Sequence, residues 1–137
     1  MNNHYSKAVS SAPAKVILFG EHFVVYENPA IVAAINKRIQ VHAQVNDKLH
    51  INIKSGENSL TVPTESNEEC VKAHHNSLSF LYPIYKCVKH VLSEKDNLSV
   101  GINLDIQSQI PYGEGLGSST ASCVATVAPL YLLFSDP

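Results

Sequence analysis

Three glycines and three consecutive hydroxyls fall within ten residues, Pro111, Tyr112, Gly113, Glu114, Gly115, Leu116, Gly117, Ser118, Ser119 and Thr120, between an alternating strand pattern and a long apolar run. Glycine lets the backbone turn through positive φ and bring its N–H groups close to a bulky anion. A helix opening at Ser118 aims unpaired N–H groups and the positive end of its dipole at the same place. The pattern predicts a phosphate cradle, and chemistry in which a phosphoryl group moves. Neither of the two commoner nucleotide loops fits. Ser118 stands where a dinucleotide-binding loop would have its third glycine, and no lysine follows Gly117 as a Walker A loop requires. Hydroxyls take the place of the ammonium. Ser118, Ser119 and Thr120 can donate to phosphate oxygens or offer a lone pair to magnesium, a hard cation that shares its shell with phosphates. One of the three is also expected to cap the helix.

A second constellation competes with this one. Cys70, His74, Cys87 and His90 run C-x3-H then C-x2-H, a spacing that could place soft ligands around tetrahedral zinc in a non-catalytic binding module. Cys87 and His90 fall on a predicted helix, however, where a thiol packs readily among apolar groups, and the spacing is looser than in recurrent zinc fingers. The tandem His74-His75 reads as solvated or capping.

With 137 residues, 45% apolar and 16% charged, the chain can bury the core of one domain, residues 1–137. A net charge of −2, with no basic cluster denser than Lys37-Arg38, argues against nucleic acid or an anionic membrane as partner and for a small molecule. Three cysteines and a polar N-terminus without an apolar leader suggest free thiols in a cytoplasmic protein. The longest apolar run, from Cys123 to Phe134, is shorter than the roughly twenty residues a bilayer span needs and reads as a buried helix.

The positioning elements follow from periodicity. Lys15 to Phe19 predicts a short buried strand ended by Gly20, and Phe23 to Tyr26 is again strand-like. Ile39, Val41, Ala43 and Val45 alternate, and alternation resumes at Leu49, Ile51 and Ile53 after Asn46-Asp47-Lys48, which predicts a β-hairpin with one wet face. Leu60 to Val62 is a weaker edge-strand candidate. Phe80, Leu81, Ile84, Tyr85, Val88, Val91 and Leu92 have helical spacing, with regular helix starting between Ser79 and Tyr82 because Pro83 is tolerated only in a first turn. From Leu98, the alternation of Val100, Ile102, Leu104 and Ile106 predicts a strand running into the glycine loop, with Asp105 on its solvated side. The closing helix spans Ser118 to Phe134 and should kink at Pro129. Together these give an α+β fold of two layers.

Two stretches resemble the first and second motifs of the GHMP small-molecule kinases. Residues 12–26, APAKVILFGEHFVVY, followed by Pro29-Ala30-Ile31-Val32-Ala33-Ala34-Ile35, are similar to that family's first motif; Pro111, Gly113, Gly115, Leu116, Gly117, Ser118 and Ser119 are similar to its second. Past Gly20-Glu21-His22, Val24-Val25 stand where the sugar-kinase branch typically has aspartate and tyrosine, so the resemblance is to members that phosphorylate mevalonate. It implies a ribosomal-S5-domain-2-like N-terminal, ATP-binding domain with a left-handed βαβ crossover, incomplete at its C-terminus. It also implies transfer of the γ-phosphoryl of ATP to the 5-hydroxyl of mevalonate in isoprenoid biosynthesis, with ATP and Mg2+ as cofactors.

Site roles come with the resemblance. Lys15 would stabilise charge at the transferred group and ease deprotonation of the alcohol; read alone, it is a solvated lysine at a strand edge. Glu21 and His22 would orient mevalonate. Pro111 and Gly113 to Thr120 would wrap the ATP phosphates, with Ser119 as magnesium ligand. Glu27 and Thr120 depart from the family's usual glycine and alanine. The family's catalytic aspartate, its second magnesium ligand and its third glycine-rich motif have no counterpart in these residues, so this polypeptide alone is expected to turn over little, and to be marginally stable or to self-associate, as a homodimer or otherwise. Phosphomevalonate, homoserine or a sugar remain as other substrates within the same family.

Overall fold

Alternation at Ile39, Val41 and Ala43, at Ile51 and Ile53, at Leu60 and Val62, and at Ile102, Leu104 and Ile106 puts one apolar row per strand on the same side of a five-stranded sheet, where all are buried. A computed structural model describes residues 6–66, 80–96 and 99–134. In chain order these form β1 (Lys7–Phe19), a 3-10 turn (Val24–Tyr26), β2 (Ile31–Asn46), β3 (His50–Ser55), β4 (Asn58–Pro63), α1 (Tyr82–Glu94), β5 (Gly101–Ser108) and α2 (Ser118–Phe134). The spatial order is β1-β2-β5-β3-β4. Both helices lie against the apolar face and against each other, α2 over β1 and β2 and α1 beside β3, which is the two-layer α+β arrangement the sequence predicts.

The predicted pairing of β2 with β3 is wrong. β5 lies between them, antiparallel to β2 and parallel to β3, and the hairpins are instead β1–β2 and β3–β4. The candidate at Leu60 to Val62 is confirmed as the edge strand β4. Lys15 to Phe19 is strand but not buried: Leu18 is 54% and Phe19 71% exposed. Phe23 to Tyr26 is not a strand either. These four residues and Ile31 and Val32 make an exposed apolar band at the end of the β1–β2 pair.

Helix α2 runs through Pro129 without a break in its assignment. Proline has no N–H to give the carbonyl four residues earlier, so Ala125 loses its helical donor. The hydroxyl of Ser10 on β1 supplies one, donating to the Ala125 carbonyl at 2.5 Å. The small inward side chains of β1, Ala8, Ser10, Ala12 and Ala14, let the helix approach that closely. Ser10→Ala should therefore cost about 1–3 kcal/mol in urea unfolding, because it strands a carbonyl in the packed interface. In a Pro129→Ala background, where an N–H returns, the same change should cost much less.

Candidate functional site

The site is assembled at the free edge of the sheet. β1 is an edge strand, and Lys15, paired in register with Ala34, turns its N–H away from β2. The Leu116 carbonyl accepts that N–H at 3.0 Å. The glycine loop is thereby fastened to β1 beside Lys15, and a two-residue register shift in β2 between Pro13 and Ala14 falls next to the junction. Gly117 closes the contact. Its φ is +73°, and a Cβ there would lie 2.9 Å from Lys15 Cγ and 3.3 Å from Cε, so the lysine stem passes where only glycine leaves room.

Gly117 also opens α2: the Ala121 N–H donates to its carbonyl at 2.9 Å. The N–H groups of Ser118, Ser119 and Thr120 form the first helical turn, where no intrahelical acceptor exists. None of these three hydroxyls makes a side-chain hydrogen bond among the described residues, so the expected capping hydroxyl is not seen. Glycine occupies that position and leaves the hydroxyls available. Ser122 donates back to the Ser118 carbonyl at 2.8 Å. Pro111, Tyr112, Gly113, Glu114 and Gly115 are exposed, whereas Leu116, Gly117 and Ser118 are half-buried.

Beside the glycine loop lies a cavity of about 420 Å³, whose lining includes Phe80, Ile84, Ile110 and Tyr112 together with Ser118, Ser119 and Ser122. Phe80 and Tyr112 meet edge to face at 5.8 Å. Apolar side chains beside three serine hydroxyls suit a ligand that joins a flat aromatic group to a polar one. Sequence reasoning missed this slot. Phe80 read as one position of a helix face, and Tyr112 as the variable residue after Pro111. A second hollow, about 490 Å³, lies over Lys7, His42, Asn52 and Asp105, on the sheet face opposite α1 and α2.

Glu21 and His22 sit exposed in the turn that follows β1, just past its last residue, Phe19. Gly20, at φ +88°, holds that turn against Pro29 and Ala30, whose atoms would lie within 2.8 Å of any Cβ. Among the described residues no three His, Cys, Asp or Glu side chains gather as a metal site. Cys70 and His74 lie outside the described residues. Of the other two zinc candidates, Cys87 on α1 has Cys123 on α2 as its neighbour, and His90 approaches Glu94 at 3.7 Å. No helix among the described residues is long and apolar enough to cross a membrane.

Comparison with known proteins defines the class. Residues 83–137 match the model of the GHMP kinases N terminal domain. The solved mevalonate kinase of Methanococcus jannaschii superposes with a TM-score of 0.80 at 25% identity, over 96% of this chain and 42% of that one. A Lactococcus lactis galactokinase shares the fold, with a TM-score of 0.62 at 16% identity, over 90% of this chain and 31% of that one. The chain is thus similar to the GHMP kinases over residues 83–137 and shares the fold of these solved members. In sequence it is 44% identical over 125 residues to the mevalonate kinase of Pyrococcus furiosus, across 88% of this chain, and 42% identical to that of Thermococcus gammatolerans. The chain spans 37% of the length of each of these two relatives.

Proposed function

We propose that residues 1–137 are the nucleotide-binding domain of a mevalonate kinase, a protein that transfers the γ-phosphoryl of ATP to the 5-hydroxyl of mevalonate. The observation that carries this reading is the Lys15–Leu116–Gly117 junction, which sets an ammonium beside a glycine loop and a helix N-terminus. Phosphoryl transfer asks little covalent chemistry of a protein and much positioning of charge. The loop and the first-turn N–H groups of α2 hold the phosphates, the Phe80–Tyr112 slot takes the base, and Lys15 offsets charge that develops on the transferred group.

The exposed hydroxyl of Ser119, without a hydrogen-bond partner among the described residues, is a hard oxygen donor suited to Mg2+ shared with phosphates. Bound there, the ion would neutralise phosphate charge. Glu21 and His22, in the turn after β1, are polar groups suited to the carboxylate and hydroxyls of mevalonate. The exposed apolar band from Leu18 to Val32 supports association with further protein surface, a second copy included.

The test is calorimetry of this chain with magnesium and a non-hydrolysable ATP analogue, paired with an assay of mevalonate, phosphomevalonate, homoserine and galactose as phosphoryl acceptors of the intact enzyme. Saturable analogue binding and turnover restricted to mevalonate are expected. Absence of nucleotide binding by the folded protein, or preference for another alcohol, would sink the reading.

A further inference from the structure

We propose that Cys87 on α1 and Cys123 on α2 form a reversible disulfide when the protein meets a peroxide, a cross-link between the helices that wall the cavity beside the glycine loop. The two thiols are electrostatic neighbours across the contact between α1 and α2. Neither is in a disulfide, and both are only half-buried, so a small oxidant has access to them. Their place in the fold gives the bond a consequence. Cys87 lies one turn after Ile84 and Cys123 follows Ser122, and Ile84 and Ser122 both line the cavity, one from each helix.

The chemistry balances in two steps. One thiol gives its sulfur to the peroxide, forming a sulfenic acid and releasing an alcohol or water; the facing thiol then displaces water to make the S–S bond, so two thiols lose two hydrogens and one peroxide is reduced. Thiolate is the reacting form. Burial, then the neighbouring Cys123, pushes the Cys87 thiol up to about 11 from its ordinary 9.0. Cross-linking should therefore be slow near neutrality and faster as the solution is made alkaline. The sign for stability agrees: a raised folded value means the folded state holds its proton more tightly, so the reduced protein loses stability as pH climbs from about 9 to about 11. The cross-linked protein has no such titration.

Hydrogen peroxide treatment of the reduced chain, alkylation of remaining thiols and tryptic digestion without reduction should yield residues 87–89 joined to residues 96–137. The bond should form equally in Cys70→Ser, fail in Cys87→Ser, and open with dithiothreitol. It should raise the thermal midpoint by about 5–10 °C, as closing a loop of this size does. A linkage through Cys70, or Cys87 and Cys123 recovered separately alkylated or over-oxidised after the same exposure, would overturn the proposal.

Discussion

Lys15→Met is expected to lower mevalonate phosphorylation by the intact enzyme about 10²- to 10³-fold, the loss that follows removal of one preorganised donor from a site of developing charge. The fall should be in kcat, with KM for mevalonate little changed, because a group that acts on charge appearing only in the transition state adds little to ground-state binding. Methionine is the informative replacement. The bond from residue 15 N–H to the Leu116 carbonyl is main-chain and survives, and an unbranched apolar stem still covers Gly117. Unfolding in urea should therefore change little, which separates lost chemistry from lost structure. Turnover within threefold of the parent would remove Lys15 from the mechanism and leave it the solvated strand-edge lysine of the bland reading.

Gly117→Ala should be nearly as damaging by a different route. An alanine at φ +73° bears the left-handed penalty of about 1–2 kcal/mol, and its Cβ, 2.9 Å from Lys15 Cγ, adds an overpacking cost of about 1–3 kcal/mol. Relief requires either the lysine stem or the opening of α2 to move, and both carry the site. We expect a loss of about 2–4 kcal/mol in urea unfolding and at least a tenfold weaker affinity for the magnesium–ATP analogue by calorimetry. In a Lys15→Ala background the colliding Cγ is gone, so the steric share of the stability loss should return while the conformational share remains. A strictly additive double variant would mean that the two residues do not press on each other.

Elements set by local chemistry could be read from the chain. Helix α1 follows from the spacing of Ile84, Tyr85, Val88, Val91 and Leu92, with Pro83 in its first turn, and α2 opens at Ser118 as the glycine loop predicts. Elements set by distant partners could not. The first half of β1 has no hydrophobic run because its inward residues are small, and they are small because α2 lies close above Ser10. Asn46-Asp47-Lys48 looks like a hairpin turn, yet no local signal tells whether flanking strands pair or admit a third between them. Val24-Val25 has strand propensity but stands in a 3-10 turn closed by Glu27 at φ 64°, where the left-handed position usually favours glycine. The glycine loop opening a helix at Ser118 was legible from its residue types. Its adjacency to Lys15 was legible only through resemblance, since the bond joining them spans about a hundred residues. The Phe80–Tyr112 slot needed coordinates, because its two rings come from separate elements.

The place of β5 governs the order in which the sheet can come together. The strand at the middle of five is the last to be synthesised, and before Gly101 the nascent chain holds two local hairpins with no partner between them. Each presents an unsatisfied row of main-chain donors and acceptors to whatever is nearby. Completion waits on a long-range insertion that satisfies both rows at once, which ties assembly to slow, non-local pairing and leaves the unfinished chain vulnerable to aggregation during translation.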